Sequence, residues 1–267
     1  MTTILITGAT DGLGRALAGR LAGPGTTLLL HGRDQAKLDA VAGGARTFRA
    51  DFSALEEVRA LAAAVLDSTD RIDVLVNNAG IGSGLPVGRS RAESRDGFEL
   101  RFAVNYLAPF LLTQSLLPVL RAAAPARIVH VASLGQHPLD FGDLMLERDY
   151  SGSRAYRQSK LAQIISGFEL ASRLPAAEVT VNCVHPGTHM PTKMVLEEHG
   201  GSEDALEIGV ASILRAIGDP ERAGVTGRFY DRQREARADA QAYDPAVRAS
   251  LWSRSLEITG APDVAQS

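Results

Sequence analysis

The chain has 267 residues, 45% hydrophobic and 22% charged, the composition of an ordinary globular protein able to bury a substantial core. Its net charge of −3 offers no basic footprint for nucleic acid or an anionic membrane, and the arginines from Arg222 to Arg237 alternate with Glu221, Asp231 and Glu235 as on a solvated face. Cys183 is the only cysteine, which excludes an intrachain disulfide, and no linker, repeat or low-complexity run divides residues 1–267, so one domain is expected.

Taken in chain order, the first β-type run, Thr3–Thr7, leads directly into a glycine-rich turn, and no signal segment is expected. No apolar run approaches membrane-spanning length, so a cytoplasmic protein without a membrane anchor is expected. Further strands are predicted at Thr27–His31, Arg46–Ala50, Ile72–Asn77, Arg127–Ser133, Glu178–His185 and Gly227–Asp231. Helical patterns occupy Leu13–Ala22, Gln35–Ala42, Ala54–Asp67, Ser94–Leu120, Arg154–Leu174 and Glu203–Ile217. A last short helix, Pro245–Leu256, places Val247, Leu251 and Trp252 on one side, either to cover a site or to close the core. This alternation predicts an α/β protein, a doubly wound parallel sheet of about seven strands with helices on both faces. Ligands of such sheets bind at the carboxyl ends of the strands.

The first such end is Thr7-Gly8-Ala9-Thr10-Asp11-Gly12-Leu13-Gly14, between a strand and a helix. Glycines there let the backbone approach a pyrophosphate while the helix start supplies free N–H groups, although a tight turn packed with glycines uses the same residues. After the second strand comes His31-Gly32-Arg33, where a site for NAD usually carries an acidic residue. Gly32 leaves room for a phosphate and Arg33 can hold it, with Arg15 as a helper, so NADP(H) is favoured over NAD(H). Asp34 is read as the cap of the next helix, the alternative being a ribose ligand for NAD.

Tyr156 and Lys160 are spaced i, i+4, on one face of the predicted helix. An ammonium beside a phenol favours phenolate and lowers its pKa towards the range of a general acid or base. Ser133 ends the fifth strand and can hydrogen-bond the same substrate oxygen. Leu161, Ile164, Ile165 and Phe168 continue that helix as a core stripe. The histidines show no metal-ligand spacing, and no metal site is expected.

Thr7 to Gly14, Asp51-Phe52, Asn77-Asn78-Ala79-Gly80, Asn105, Ser133, Tyr156 with Lys160, and Pro186-Gly187 stand in an order and spacing by which the chain resembles the short-chain dehydrogenase/reductase family over essentially its whole length. The resemblance implies a Rossmann fold. It makes Asn105, Ser133, Tyr156 and Lys160 the catalytic tetrad, with Asn105 holding a water that returns a proton through Lys160 and Lys160 also holding the nicotinamide ribose. Cofactor contacts are expected from Gly8, Thr10, Asp11, Gly12, Leu13, Gly14, Arg33, Asp51, Phe52, Asn78, Ala79, Gly80, Tyr156, Lys160, Pro186, Gly187 and Thr188. Asp51 is the adenine contact, and Thr188 and Thr192 are carboxamide contacts in that scheme.

A narrower likeness, to the retinol-dehydrogenase-like and protochlorophyllide-reductase-like branch, rests on Val104 to Thr113, the long stretch between Ser133 and Tyr156, and Leu251 to Leu256. Substrate contacts are expected from Ile81–Gly97, an insertion at about 135–153, and a mobile loop at about 188–208. The expected partner is a small carbonyl or alcohol. Phe229-Tyr230-Asp231-Arg232 departs from the usual Asp-Gly-Gly ending, which leaves a homodimer or monomer as open as the family's tetramer. An NAD-linked alcohol dehydrogenase and a non-catalytic dinucleotide sensor are the competing readings, although sensors often lose the tyrosine or lysine kept here.

Overall fold

Successive strand residues face opposite sides of a sheet, and here both sides are apolar. In β1 (Thr2–Ile6), Ile4 and Ile6 enter one core and Leu5 the other; β2 (Thr26–Gly32) repeats this with Leu28 and Leu30 against Leu29, and β4 (Val74–Asn77) with Val74 and Val76 against Leu75. Such strands are stable only between two helical layers. The computed structural model describes residues 1–84, 90–192, 195–196 and 200–263. Parts of the two predicted rims, at 85–89, 193–194 and 197–199 with His199, lie outside the described residues.

The remaining strands are β3 (Arg46–Arg49), β5 (Ala126–Val131), β6 (Val179–His185), β7 (Arg228–Asp231) and β8 (Arg234–Ala236). They form one eight-stranded sheet in the order β3-β2-β1-β4-β5-β6-β7-β8, parallel up to β7. Winding reverses between β1 and β4, which opens a crevice at their carboxyl ends. Against one face pack α3 (Leu55–Ser68), α4 (Leu100–Ala122), α5 (Gly152–Arg173) and α7 (Pro245–Thr259). The other face holds α1 (Gly12–Leu21), the end of α2 (Gln35–Val41) and α6 (Leu206–Gly218).

The expected sheet of about seven strands is present, and Arg234–Ala236 adds a short edge strand antiparallel to β7; so short and charged a strand has no apolar alternation to betray it. Two expectations are corrected. The helix predicted from Ser94 starts at Leu100, because Ser94 Oγ accepts from the N–H groups of Asp96 and Phe98 and Gly97 sits at φ +83, building a turn capped by Glu99. Finally, α4 is long and apolar enough to cross a membrane, but 83% of its most apolar window is buried inside the protein. It is the central core helix; Arg101, Asn105 and Gln114 interrupt its apolar run in the sequence. The segment Ala103–Leu107 of α4 is a π-turn, and Asn105 lies in it.

Candidate active site

The glycine turn lies at the crevice where winding reverses, and its geometry explains each glycine separately. Gly8 is at φ +66, and a Cβ there would come within 2.8 Å of Ala79 Cα. A Cβ on Gly14 would lie 2.2 Å from Gly8 O and 2.6 Å from Asn78 Nδ2, so the turn and the Asn77–Gly80 segment interlock without side chains. Asn78 completes the lock by donating to Thr7 O and Gly8 O at 2.9 and 3.1 Å, while Thr7 Oγ1 accepts from the N–H groups of Asn78 and Ala79. Asn78 and Ala79 therefore shape the turn. The first-turn amides of α1, with no intrahelical partners of their own, open into the cradle that these glycines keep clear, a donor set that fits a pyrophosphate. Leu13 offers only its backbone, because its side chain is buried in the core.

His31 is the unforeseen part of this cradle. Its Nε2 donates to Ala50 O at 3.0 Å, which leaves Nδ1 to accept from Gly8 N–H at 3.3 Å. Burial holds its pKa down at about 4, so the ring is neutral and keeps that tautomer. Phe52 stacks on His31 with ring centres 4.3 Å apart and is itself buried, so its side chain packs beneath the cradle. The reason for Gly32 is corrected. A Cβ there would lie 2.5 Å from Thr10 Cγ2, so the close approach of Thr10 requires the glycine before any phosphate does.

Beyond β2, Arg33 is exposed, while the Asp34 side chain accepts from Lys37 N–H at 3.2 Å as the N-cap of α2. Asp11 caps α1 by accepting from Gly12 N–H and pairs with Lys37 at 3.1 Å across the crevice. Asp51 Oδ1 accepts from Ser53 N–H at 2.9 Å, which orients its carboxylate at the end of β3.

Tyr156 and Lys160 lie on α5, with Lys160 Nζ 6.0 Å from the centre of the Tyr156 ring. Lys160 is buried and donates to Val131 O at 2.8 Å, at the end of the strand that leads to Ser133. Desolvation lowers its pKa to about 8, which leaves most of the ammonium charged at neutral pH. Ser133 Oγ accepts from Gly135 N–H at 3.0 Å, so its own proton is free for another acceptor. Asn105 is brought to the same place, since a Cβ on Gly80 would lie 3.2 Å from its Oδ1 and 3.6 Å from Lys160 Nζ. Its Oδ1 accepts from Ile81 N–H, and its Nδ2 donates to Ile81 O and to Ser159 Oγ. Ser159 Oγ donates in turn to Tyr156 O, so the Asn105 side chain braces both the Gly80–Ile81 backbone and the helical turn that carries Tyr156.

Sequence reading missed the residues that fasten the rims. Arg101, fully buried, donates to the carbonyls of Gly82 and Ser83 at 2.7 and 2.9 Å and to Tyr150 Oη at 2.6 Å; Tyr150 Oη donates to Glu99 at 3.0 Å. A Cβ on Gly152 would meet Ser83 O at 2.2 Å, so the first rim rests on the start of α5. The insertion is anchored, not loose. Leu139 and Leu144 join the core, Gln158 holds Leu144 O at 2.8 Å, and the Gln241 amide pairs with both the N–H and C=O of Leu139. The only sequence signals were an arginine in an apolar helix and glutamines with no evident role.

The terminal helix settles its two alternatives by closing the core: Trp252 is buried, 5.1 Å from Phe110 between ring centres, with the Arg173 guanidinium 4.6 Å from its ring. Pro186, Gly187 and Thr188 follow β6 at the same sheet edge, and Thr188 N–H donates to Asp204 at 2.7 Å. Among the described residues no group of three or more His, Cys, Asp or Glu side chains is placed to hold a metal.

A doubly wound sheet, a glycine-rich turn at its switch point and a tyrosine–lysine pair at the same edge define a class, the dinucleotide-binding oxidoreductases. The short chain dehydrogenase family model matches residues 2–200, and the chain belongs to the short-chain dehydrogenase/reductase family, whose members act on an alcohol/carbonyl pair with a nicotinamide cofactor. It is 33% identical to retinol dehydrogenase 13 of Homo sapiens, across 98% of this chain and 86% of that protein. Among solved structures it is similar to an uncharacterized protein from Mycobacterium Paratuberculosis, with a TM-score of 0.78 and 30% identity over 98% of this chain and 94% of that one. It is also similar to a short chain dehydrogenase from Shigella flexneri complexed with NADP, with a TM-score of 0.70 and 26% identity over 87% and 97% of the two chains.

Proposed function

We propose that the protein is an NADP(H)-dependent reductase of apolar aldehydes or ketones, interconverting them with their alcohols, with Tyr156 as the acid/base. The observation that carries this reading is the buried Lys160 ammonium, anchored on Val131 O and set 6.0 Å from the Tyr156 ring centre. The cofactor, when bound, supplies the hydride. Lys160 favours ionisation of the Tyr156 phenol, which gives its proton to the substrate oxygen as negative charge grows there. Ser133, its Oγ accepting from Gly135 N–H, directs its own O–H to the same oxygen and holds the carbonyl in register. Oxidation of the alcohol runs the same steps backwards, with Tyr156 as base.

Support for NADP(H) comes from Arg33, exposed just beyond β2, and from Asp34, whose carboxylate is engaged as a helix cap. The similar structure from Shigella flexneri holds NADP. An apolar substrate is supported by the human relative, named for retinol, and by Leu134, which is 46% exposed immediately after Ser133.

The test is oxidation of NADPH and NADH by the purified protein against a panel of apolar aldehydes, retinal among them. Tyr156→Phe should retain NADPH binding and lose turnover by about 10²–10⁴-fold. Arg33→Ala should raise the KM for NADPH by about tenfold or more, one phosphate contact, and leave that for NADH in place. Full turnover in Tyr156→Phe would refute the mechanism, and a wild-type preference for NADH would replace the cofactor reading with the NAD-linked alternative.

A further inference from the structure

The segment after β6 leaves the sheet and comes back beside itself at Asp204, 16 residues after Thr188, and its neck is fastened by charge. Thr188 O accepts from Asp204 N–H at 3.1 Å and His189 O from Glu203 N–H at 3.0 Å, so the outgoing and returning strands of the loop are zipped together. Asp204 Oδ2 accepts from Thr188 N–H at 2.7 Å, and also from Nε and Nη2 of Arg232 at 3.0 and 2.5 Å. Arg232 stands in the turn between β7 and β8 at φ +54, an uncommon conformation for a residue with a side chain. It is held there by its own N–H, which donates to His185 O at 2.7 Å. Asp204, bonded to Thr188 N–H and Arg232, has its carboxyl pKa lowered and remains ionised.

Met190 and Thr192, inside this neck, are seated as well. Met190 is buried, and Cβ atoms on Gly187 and Gly209 would lie 3.2 Å from its Cγ and 2.4 Å from its Sδ. Thr192 reaches the glycine turn, its Cγ2 3.0 Å from a Cβ placed on Gly12. The neck therefore lies between the end of β6 and the cradle at the start of α1.

The chemical consequence concerns the Thr188 hydroxyl. Arg232 Nη2 lies 3.3 Å from Thr188 Oγ1, and a guanidinium can only donate, so Oγ1 is the acceptor in that bond. The single Thr188 O–H is left to donate, either to the neutral ring of His185, whose Nε2 is 3.2 Å away, or into the cleft. We infer that Arg232 is a positioning residue: through Asp204 and Thr188 it fixes the neck of this loop and turns the Thr188 hydroxyl into a donor for the carboxamide oxygen at the nicotinamide end of the cofactor. This rests on the dinucleotide reading and adds to it a residue from the hairpin, where the chain departs from the family's usual ending.

The experiment compares binding of NADPH, followed by the fluorescence of its nicotinamide, with binding of 2′,5′-ADP, which lacks the nicotinamide half; NADH and AMP replace them if the wild type prefers NADH. Arg232→Gln should weaken NADPH by about tenfold, the value of one oriented hydrogen bond, and shift the emission of the bound nicotinamide while 2′,5′-ADP binds as before. Thr188→Val should do the same, and the double variant should be no worse than either single one. Arg232→Lys, which keeps the charge for Asp204 but not the planar fork that reaches Thr188 as well, should fold and show the same selective loss, and it carries the comparison should Arg232→Gln fail to fold. Equal weakening of both ligands, unchanged NADPH affinity and emission, or additive losses in the double variant would each overturn the inference. Failure of the wild type to bind NADPH or NADH would refute the cofactor reading itself, and the inference with it.

Discussion

Replacing Arg101 with methionine should be the most revealing single change to the fold around the site. The guanidinium is 0% exposed and its partner Glu99 1% exposed, 3.6 Å apart, with Tyr150 Oη bonded to both. At such a separation an effective dielectric of 20 gives an attraction of about 4 kcal/mol, opposed by the cost of desolvating both ions. Methionine fills much of the volume but leaves the Glu99 charge buried without its cation and the Gly82 and Ser83 carbonyls without donors. Breaking one side of such a pair costs about 3–5 kcal/mol, a large part of a stability of about 5–15 kcal/mol. Adding Glu99→Gln removes the stranded charge while keeping an acceptor oxygen for Phe102 N–H, bonded at 2.7 Å, and turning an amide N–H toward Tyr150 Oη, which then accepts, so the double variant should recover part of the loss. Urea denaturation at 25 °C measures the wild type, both single variants and the double variant, and hydrogen exchange at Gly82–Gly84 should quicken in Arg101→Met before global unfolding does. A loss below about 1 kcal/mol, or strict additivity in the double variant, would show that the pair does not hold the rim.

The remaining expectations concern protons and glycines. His31, His130 and His185 are each held down at about 4 by burial, so between that value and the ordinary 6.5 the unfolded chain binds protons that the folded one refuses. Stability is therefore retained above pH 6.5 and lost as pH falls towards 4, with His31 and His130, the most buried, each contributing about 3 kcal/mol at the acid end. A urea midpoint that does not move between pH 7 and pH 5 would contradict this; His130→Gln should flatten the slope. Gly14→Ala must push its methyl against Gly8 O and Asn78, costing about 1–3 kcal/mol or more and displacing the cradle, which thermal melting and NADPH fluorescence would report. Gly19→Ala, in the same helix with nothing within 4 Å, should stabilise by about 0.5–1 kcal/mol; equal effects at the two positions would refute the packing argument.

Local chemistry made much of this protein legible before any coordinates. The apolar runs at Leu28–Leu30 and Val74–Val76, the helical stripe of Leu161, Ile164, Ile165 and Phe168, and the i, i+4 pair Tyr156 and Lys160 depend only on the periods of strand and helix, so seven strands, the long helices and the carboxyl-edge location of the site followed from them. Asp34 as a helix cap was equally readable, because the cap lies within one turn of the Lys37 N–H that it accepts from.

Other features depended on partners distant in the chain. Arg101 closes on Tyr150, Arg232 on Asp204, and Gln241 on Leu139, and nothing near any of these residues states which distant carbonyl or carboxylate the fold will deliver to it. Gly32 shows the division at one residue: its sequence neighbours suggested room for a phosphate, and the packed structure gives that room to Thr10. Residue types at fixed spacing thus made the family legible. The exact placement of donors and rims was left to tertiary packing, since a hydrogen-bonding group takes whichever partner is brought within about 3 Å of it.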